Sequence, residues 1–243
     1  MASEGPHTAP VGDPAQTPNA GLSEQLHAYA HDLKNRVAGL LEVLRQLRTH
    51  DPAVEQQDLL DFGERQAFAV LRRNEELLDA LGVPRGMPSP PSGWIDLDGV
   101  LRSAIANQQY RLDAKQQGLS LNGTVSANVA AEPRQLSTVL EALLSNASKF
   151  SPVGAGINVQ AHTADGQVIV EVKDEGVGLS ASDIDQVFVR YAWLDSRSTA
   201  GEPQGRSTLA RCKQIAAALG GTLTAQSDGV GKGSLFLLGL PLA

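Results

Sequence analysis

The sequence predicts an α+β protein in two parts, a pair of long antiparallel helices followed by an α/β sandwich, and three observations carry that expectation. Apolar residues recur at alternating steps of four and three over residues 22–81, a run of prolines and glycines breaks all periodicity at 82–94, and segments of helix and strand period then mix without regular βαβ alternation. With 243 residues and 42% hydrophobic content, the chain can bury one or two cores of ordinary size. Twenty basic against 27 acidic residues leave a net charge of −7, which excludes a sequence-blind nucleic-acid binder, because a phosphate backbone needs a basic face. The single cysteine, Cys212, excludes an internal disulfide framework and a thiolate metal cluster and fits a reducing compartment. No apolar run approaches the roughly 20 residues that span a bilayer, and no basic-then-apolar signal opens the chain. A cytoplasmic protein without membrane insertion is the expectation.

Residues 1–21 place Pro6, Pro10, Pro14 and Pro18 at every fourth position among Ala, Gly and Thr, which predicts a disordered tail. In residues 22–81 a first seam reads Leu26, Ala30, Leu33, Val37, Leu40, Leu44 and Leu47, and ends near Asp51 and Pro52. A second seam reads Leu60, Gly63, Ala67, Val70, Asn74, Leu77 and Leu81, with polar Asn74 at a core position that can fix register. Two such helices form a hairpin whose apolar faces are fully covered only by another hairpin, so a dimeric four-helix bundle is expected. The linker at 82–94 is stiffened by Pro84, Pro88, Pro90 and Pro91.

In the second part, residues 95–243, helical spacing runs over 95–115 and 135–150, and strand alternation over 119–125, 157–162 and 168–172. Asp165 and Gly166 mark a hairpin between the last two. A short helix over 211–219 closes at Gly220 and Gly221, and stretches at 222–225 and 234–240 make a final hairpin. Antiparallel pairs with helices on one face are the expected arrangement.

Three constellations carry chemistry. His31 falls at an outward position of the first helix, with Asp32 beside it and Asn35 one turn on. A neutral imidazole can attack phosphorus if its other nitrogen is held and relieved of its proton, a task for an adjacent carboxylate. Asn146 and Lys149 lie one turn apart on a helix, where an amide can orient a divalent cation between phosphates and a lysine can neutralise their charge. Asp174, followed by Gly176 and Gly178 directly after a strand, can accept an exocyclic amine proton while the glycines admit close approach to a ligand.

In this order the motifs resemble the transmitter module of sensor histidine kinases over residues 22–242. His31 to Arg36 is similar to the family's H box, Asn146 with Lys149-Phe150-Ser151-Pro152 to its N box, and Asp174 to Gly178 to its G1 box. Phe188 resembles the F-box aromatic, and Gly220-Gly221 through Gly231-Lys232-Gly233-Ser234 to Leu242 resembles the closing hairpin. The resemblance implies a dimerisation and phosphoacceptor hairpin followed by a GHKL-type ATP-binding sandwich. In it His31 would be the phosphoacceptor, Asp32 its base, and Asn35, in an acid-x-x-amide pattern, would orient water for dephosphorylation of a partner. Asn146 would be the Mg2+-coordinating amide, Lys149 a phosphate contact, and Asp174 the adenine partner with Gly176 and Gly178. The implied cofactors are ATP and Mg2+, and the implied partners are a response-regulator receiver domain and a second copy of the chain. The proline-bearing tail is too short for a sensory domain, so input is expected from a separate sensory protein, from the tail, or from nothing.

Three departures accompany the resemblance. Arg36 stands where many members have proline, and Ala142 stands one turn before Asn146 where kinases usually have asparagine. The second glycine box is replaced by Gly201-Glu202-Pro203-Gln204-Gly205-Arg206-Ser207-Thr208-Leu209-Ala210. Gly205 alone remains near, with Ser207 and Thr208 at a helix N-terminus able to donate to an anion. The expectation is therefore a histidine protein kinase with an altered lid. The alternative is a phosphotransferase or response-regulator phosphatase that has lost ATP use.

Overall fold

In the computed structural model the described residues are 19–48, 54–83, 88, 90–123, 127–200, 202 and 206–242. Helix α1 (Asn19–Arg48) begins inside the segment expected to be a tail, and the rest of that segment, residues 1–18, lies outside the described residues, as do 84–87 and 89 of the linker. Helix α2 (Val54–Ala80) returns antiparallel to α1: Lys34 pairs with Glu75, and a Cβ on Gly63 would lie 3.3 Å from Leu44. Asn74 is buried and its Nδ2 donates across the hairpin to the carbonyl of Ala30 at 3.4 Å, which ties the polar seam position to one register.

The seams are only partly used within the chain. Ala30, Ala67 and Asn74 are buried, but Leu40, Leu47, Val70, Leu77 and Leu81 stay exposed. Leu41, Phe68 and Leu71, off the expected seams, are buried instead, packed with Tyr191 of the second part. The hairpin therefore has two apolar faces, and the second part covers one of them.

That part opens with β1 (Trp94–Asp96) and α3 (Leu97–Ala114), whose N-cap Asp96 accepts from the amides of Asp98 and Gly99. Strands β2 (Gly118–Asn122) and β3 (Asn128–Ala130) follow, β3 pairing antiparallel with β1. Helix α4 (Pro133–Phe150) starts with proline at its first turn and Glu132 capping the Gln135 amide. Strands β4 (Gly156–Ala164) and β5 (Gln167–Asp174) form the expected hairpin; α5 (Ala181–Gln186), α6 (Thr208–Ala218), β6 (Thr222–Gln226) and β7 (Leu235–Pro241) complete the chain.

The large sheet runs β2-β4-β5-β7-β6. Its β2–β4 pair is parallel, which corrects the antiparallel expectation: the connection between them carries α4, and only such a crossover lets neighbouring strands point the same way. Helices α3, α4 and α6 pack together with α4 on the sheet, so Ile157, Val159, Val168, Val170, Val172 and Leu238 point into the core. Cys212 is fully buried there, and burial pushes its thiol up to about 11. Asp174 stands at the end of β5 on one side of this core, with Asn146 and Lys149 near the end of α4 beside it.

Candidate functional site

A cavity of about 110 Å3 lies between α4, the turn after β5, the 187–206 segment and the start of α6. Asp174, the last residue of β5, lines it and is only 3% exposed. Its Oδ1 accepts from the amides of Gly176 at 2.8 Å and Ser234 at 3.1 Å, and Ser234 Oγ donates to Oδ2. Burial raises the Asp174 pKa, while the bonds from Ser234 and Gly176 pull it back. A carboxylate has about four lone-pair directions, so three bonds leave acceptor capacity facing the cavity for an N–H of a ligand.

Gly178 lines the cavity, and both Gly176 and Gly178 are required by the packing of the turn. A Cβ on Gly178, at φ +69°, would come within 2.1 Å of the Gly229 carbonyl, and one on Gly176 within 2.5 Å of the Phe150 carbonyl. The glycines let the turn pack on its neighbours, and that packing aims Asp174.

On α4, Ala142, Ser145, Asn146 and Lys149 follow helical spacing along the cavity wall, while Leu143, Leu144 and Ala147 face the core. Burial lowers the Lys149 pKa, Arg111 lowers it further, and Glu202 opposes both. No cluster of three or more His, Cys, Asp or Glu side chains suited to a metal exists among the described residues. A cation here would have to be held by the Asn146 amide oxygen and by phosphate oxygens, a donor set that suits Mg2+.

The stretch between Tyr191 and Thr208, where a lid is expected, is held at two places among its described residues. Thr199 donates through its amide to the Lys149 carbonyl at 3.0 Å and through Oγ1 to the Ser151 carbonyl at 2.7 Å. Lys115 Nζ binds the Ser148 carbonyl, Thr199 Oγ1 and Glu202 at 2.8, 2.8 and 2.9 Å. At the second place the Arg206 guanidinium lies 4.4 Å from the Trp193 ring centre and 4.9 Å from that of Phe68, and burial pushes its pKa down to about 10. Arg65 and Arg197 also lie over Trp193, and Arg197 reaches Asp61 on α2 at 2.9 Å. Tyr191, at φ +56°, stacks on Phe68 with ring centres 6.4 Å apart and donates its amide to the Arg206 carbonyl. The segment thus joins the second part to the hairpin. Gly205 lies outside the described residues. Ser207 is the N-cap of α6 without a side-chain cap bond and lines a different cavity, whereas Thr208 lines this one.

That second cavity, about 420 Å3, lies between the hairpin and α6 and is lined by His31, Lys34, Asn74 and Glu75 on one side and Arg190, Ser207 and Arg211 on the other. The two cavities lie on either side of residues 206–208, since Arg206 and Thr208 line the first and Ser207 the second. His31 is exposed on α1, and its Nδ1 lies 3.2 Å from Asn35 Nδ2. Asp32, expected beside the imidazole, instead pairs with Arg36 at 2.7 Å. The correction has a helical cause: residues four apart share a face and residues one apart do not, so Asn35 reaches His31 and Arg36 reaches Asp32.

Sequence reasoning missed Ser234 as the partner of Asp174, the aromatic and guanidinium cluster at Trp193, and Arg190 and Arg211 facing His31. Each depends on contacts between segments far apart in sequence, for which the spacing of residues holds no signal.

Residues 131–243 match the family model described as histidine kinase-, DNA gyrase B-, and HSP90-like ATPase. The sensor-like histidine kinase SenX3 of Mycolicibacterium smegmatis is 28% identical over 155 residues, covering 63% of this chain and 39% of that protein. SenX3 of Mycobacterium tuberculosis H37Rv is 26% identical over 218 residues, covering 87% of this chain and 52% of that protein. The chain therefore spans about half the length, or less, of these curated relatives. Among solved structures, the mycobacterial sensor histidine kinase MprB aligns with a TM-score of 0.56 at 22% identity, over 62% of this chain and 98% of that one. Full-length ShkA in complex with AMPPNP aligns with a TM-score of 0.57 at 22% identity, over 91% of this chain and 46% of that one. At these identities the two structures establish the fold.

Proposed function

We propose that this chain, a histidine kinase transmitter module whose second part is a GHKL-type ATPase domain, transfers the γ-phosphoryl group of ATP to His31 and passes it on to an aspartate of a response-regulator receiver domain. The observation that carries the proposal is the adjacency of the two cavities: the one holding Asp174, Asn146 and Lys149 and the one holding His31 flank the same residues, 206–208. The family model, the names of the relatives and the AMPPNP in the ShkA structure support ATP as the donor, and so favour a kinase over a phosphotransferase without nucleotide.

In this reading Asp174 accepts the exocyclic amine of adenine, and the apolar walls at Leu179, Leu194 and Phe236 hold the ring. Lys149 contacts the phosphates, and Mg2+ held by Asn146 supplies charge neutralisation to them. The cavity is small beside the roughly 300–1,000 Å3 of small-molecule sites, so the Thr199 end of the lid lifts from α4 to admit the triphosphate. With the Asn35 amide turned so that its Oδ1 accepts the Nδ1 proton, Nε2 keeps its lone pair and attacks phosphorus; the bond from phosphorus to the departing ADP oxygen breaks. The Nδ1 proton leaves to solvent, since Asp32 is turned to Arg36 and does not share the face of His31.

The chain acts as a homodimer through the exposed seam of Leu40, Leu47, Val70, Leu77 and Leu81, and works in the cytoplasm. Incubation with radiolabelled MgATP and identification of the labelled residue tests the proposal: label is expected on His31, and label confined to other residues would overturn it.

A further inference from the structure

The cavity beside His31 is cationic. Its lining includes Lys34, Arg190 and Arg211 but, among the described residues, one carboxylate, Glu75, so three positive charges less one negative leave +2. Glu75 is 5% exposed and engaged at both oxygens, by Lys34 at 3.2 Å and by Arg190 at 3.0 Å. Arg190 also donates to Gln214 at 2.7 Å. Arg211 makes no ion pair and no side-chain hydrogen bond among the described residues, although it stands one turn along α6 from Ser207 on the same cavity wall. Among the described residues the cavity thus holds excess positive charge and one guanidinium, that of Arg211, whose donors have no partner.

A phosphoryl group on an imidazole carries close to two negative charges and three acceptor oxygens. A planar guanidinium is suited to such a group, because it donates two parallel N–H bonds and stays charged at any working pH. We infer that this cavity is a phosphoryl cradle in which Arg211, with Lys34 beside it, binds the oxygens of the group carried on Nε2 of His31. The inference deepens the reading of His31 as the phosphoacceptor and rests on it. Arg190 is the support of the cradle: it fixes Glu75, and Glu75 in turn fixes Lys34. Because the cradle binds the phosphoryl group and not the donor, it acts on phosphoryl groups arriving from ATP and from small donors alike.

The test uses phosphoramidate and the whole chain without nucleotide. Nε2 of His31 attacks phosphorus, the P–N bond of the donor breaks, ammonia leaves, and the imidazole's Nδ1 proton goes to solvent. Labelling of His31 is followed by mass spectrometry against His162, which sits on the solvent side of the sheet near Glu171 and serves as an internal reference. His31 is expected to label faster than His162 in the wild type, and Arg211→Gln to lower the His31 to His162 ratio about tenfold, the weight of one charge-assisted hydrogen bond. Arg211→Lys should keep most of the ratio. Lys213→Gln, the same charge change on α6 but beside Phe188 in another groove, should leave it unchanged.

Equal ratios in wild type and Arg211→Gln, or an equal fall in Lys213→Gln, would overturn the cradle. Thermal melting of each variant separates a loss of fold from a loss of the cradle. Since the donor needs no nucleotide, failure of ATP labelling would count against the kinase reading alone, and ATP labelling insensitive to Arg211 would count against the cradle alone.

Discussion

Asp174→Asn separates what the buried carboxylate does for the fold from what it does for a ligand. The carboxylate accepts from the Gly176 amide, the Ser234 amide and the Ser234 hydroxyl, and burial raises its pKa despite these bonds. A carboxylate with a raised folded pKa favours the protonated form in the fold, so its contribution to stability is present below the unfolded pKa and is lost as pH rises through the folded value. At neutral pH the neutral amide should therefore fold at least as stably: its Oδ1 keeps the two backbone donors, and the Ser234 hydroxyl turns to accept from its Nδ2. Adenine recognition moves the other way. The amide presents N–H to an incoming exocyclic amine, removing one charge-assisted bond of about 1.5–3 kcal/mol, or about 10- to 150-fold in ATP affinity. Calorimetry with MgATP and a melting curve read the two effects. In the wild type, affinity should also fall on acidification at a higher pH than an ordinary aspartate would require, because protonation removes the acceptor charge. Undiminished ATP affinity in Asp174→Asn would refute the assignment of Asp174 to the base.

Three further outcomes are expected. Trp193→Ala removes the ring under three guanidiniums at 4.4, 4.8 and 5.3 Å. Of these only Arg65 stands on the hairpin, so at about 0.5–1 kcal/mol per contact the direct loss should loosen docking of the second part on the hairpin by about 0.5–1 kcal/mol and raise the radius of gyration in small-angle scattering. An unchanged scattering curve would contradict that clamp. Leu77→Asp should turn a dimer into a monomer in sedimentation at micromolar concentration, because Leu77 lies on the uncovered face of the hairpin; a monomeric wild type would contradict the bundle. Finally, His31 shares its cavity with α6 of its own chain, so mixed dimers of His31→Ala and Asp174→Asn should not label, whereas label on the His31-bearing chain would show transfer between protomers.

Local regularities made much of this architecture legible in the sequence. The four-and-three spacing gave the two long helices, the alternation in 157–172 the central hairpin, and Gly220-Gly221 the end of α6. Asp174 at a strand end and Asn146 with Lys149 on one helix face were legible for the same reason: each lies within one element, and the element's period fixes its direction. What escaped depends on distant segments meeting. The short pair β1–β3 joins residues more than thirty apart, and the parallel β2–β4 pair follows from the course of α4. Heptad spacing marked an apolar stripe but held no sign that Phe68 and Leu71, beside it, would be buried against Tyr191. The replacement of the second glycine box was visible. That Arg206, standing in it, lies over Trp193 and Phe68 was not, because Phe68 comes from α2 and Trp193 from thirteen residues back along an irregular stretch.

The account turns on one measurement, the chemistry of label acquired from γ-labelled MgATP by the whole chain. We expect one phosphoryl group per His31, lost in acid and retained in base as a phosphoramidate is, absent from His31→Ala and strongly reduced in Asp174→Asn. Label that survives acid, or that persists undiminished in His31→Ala, would contradict it.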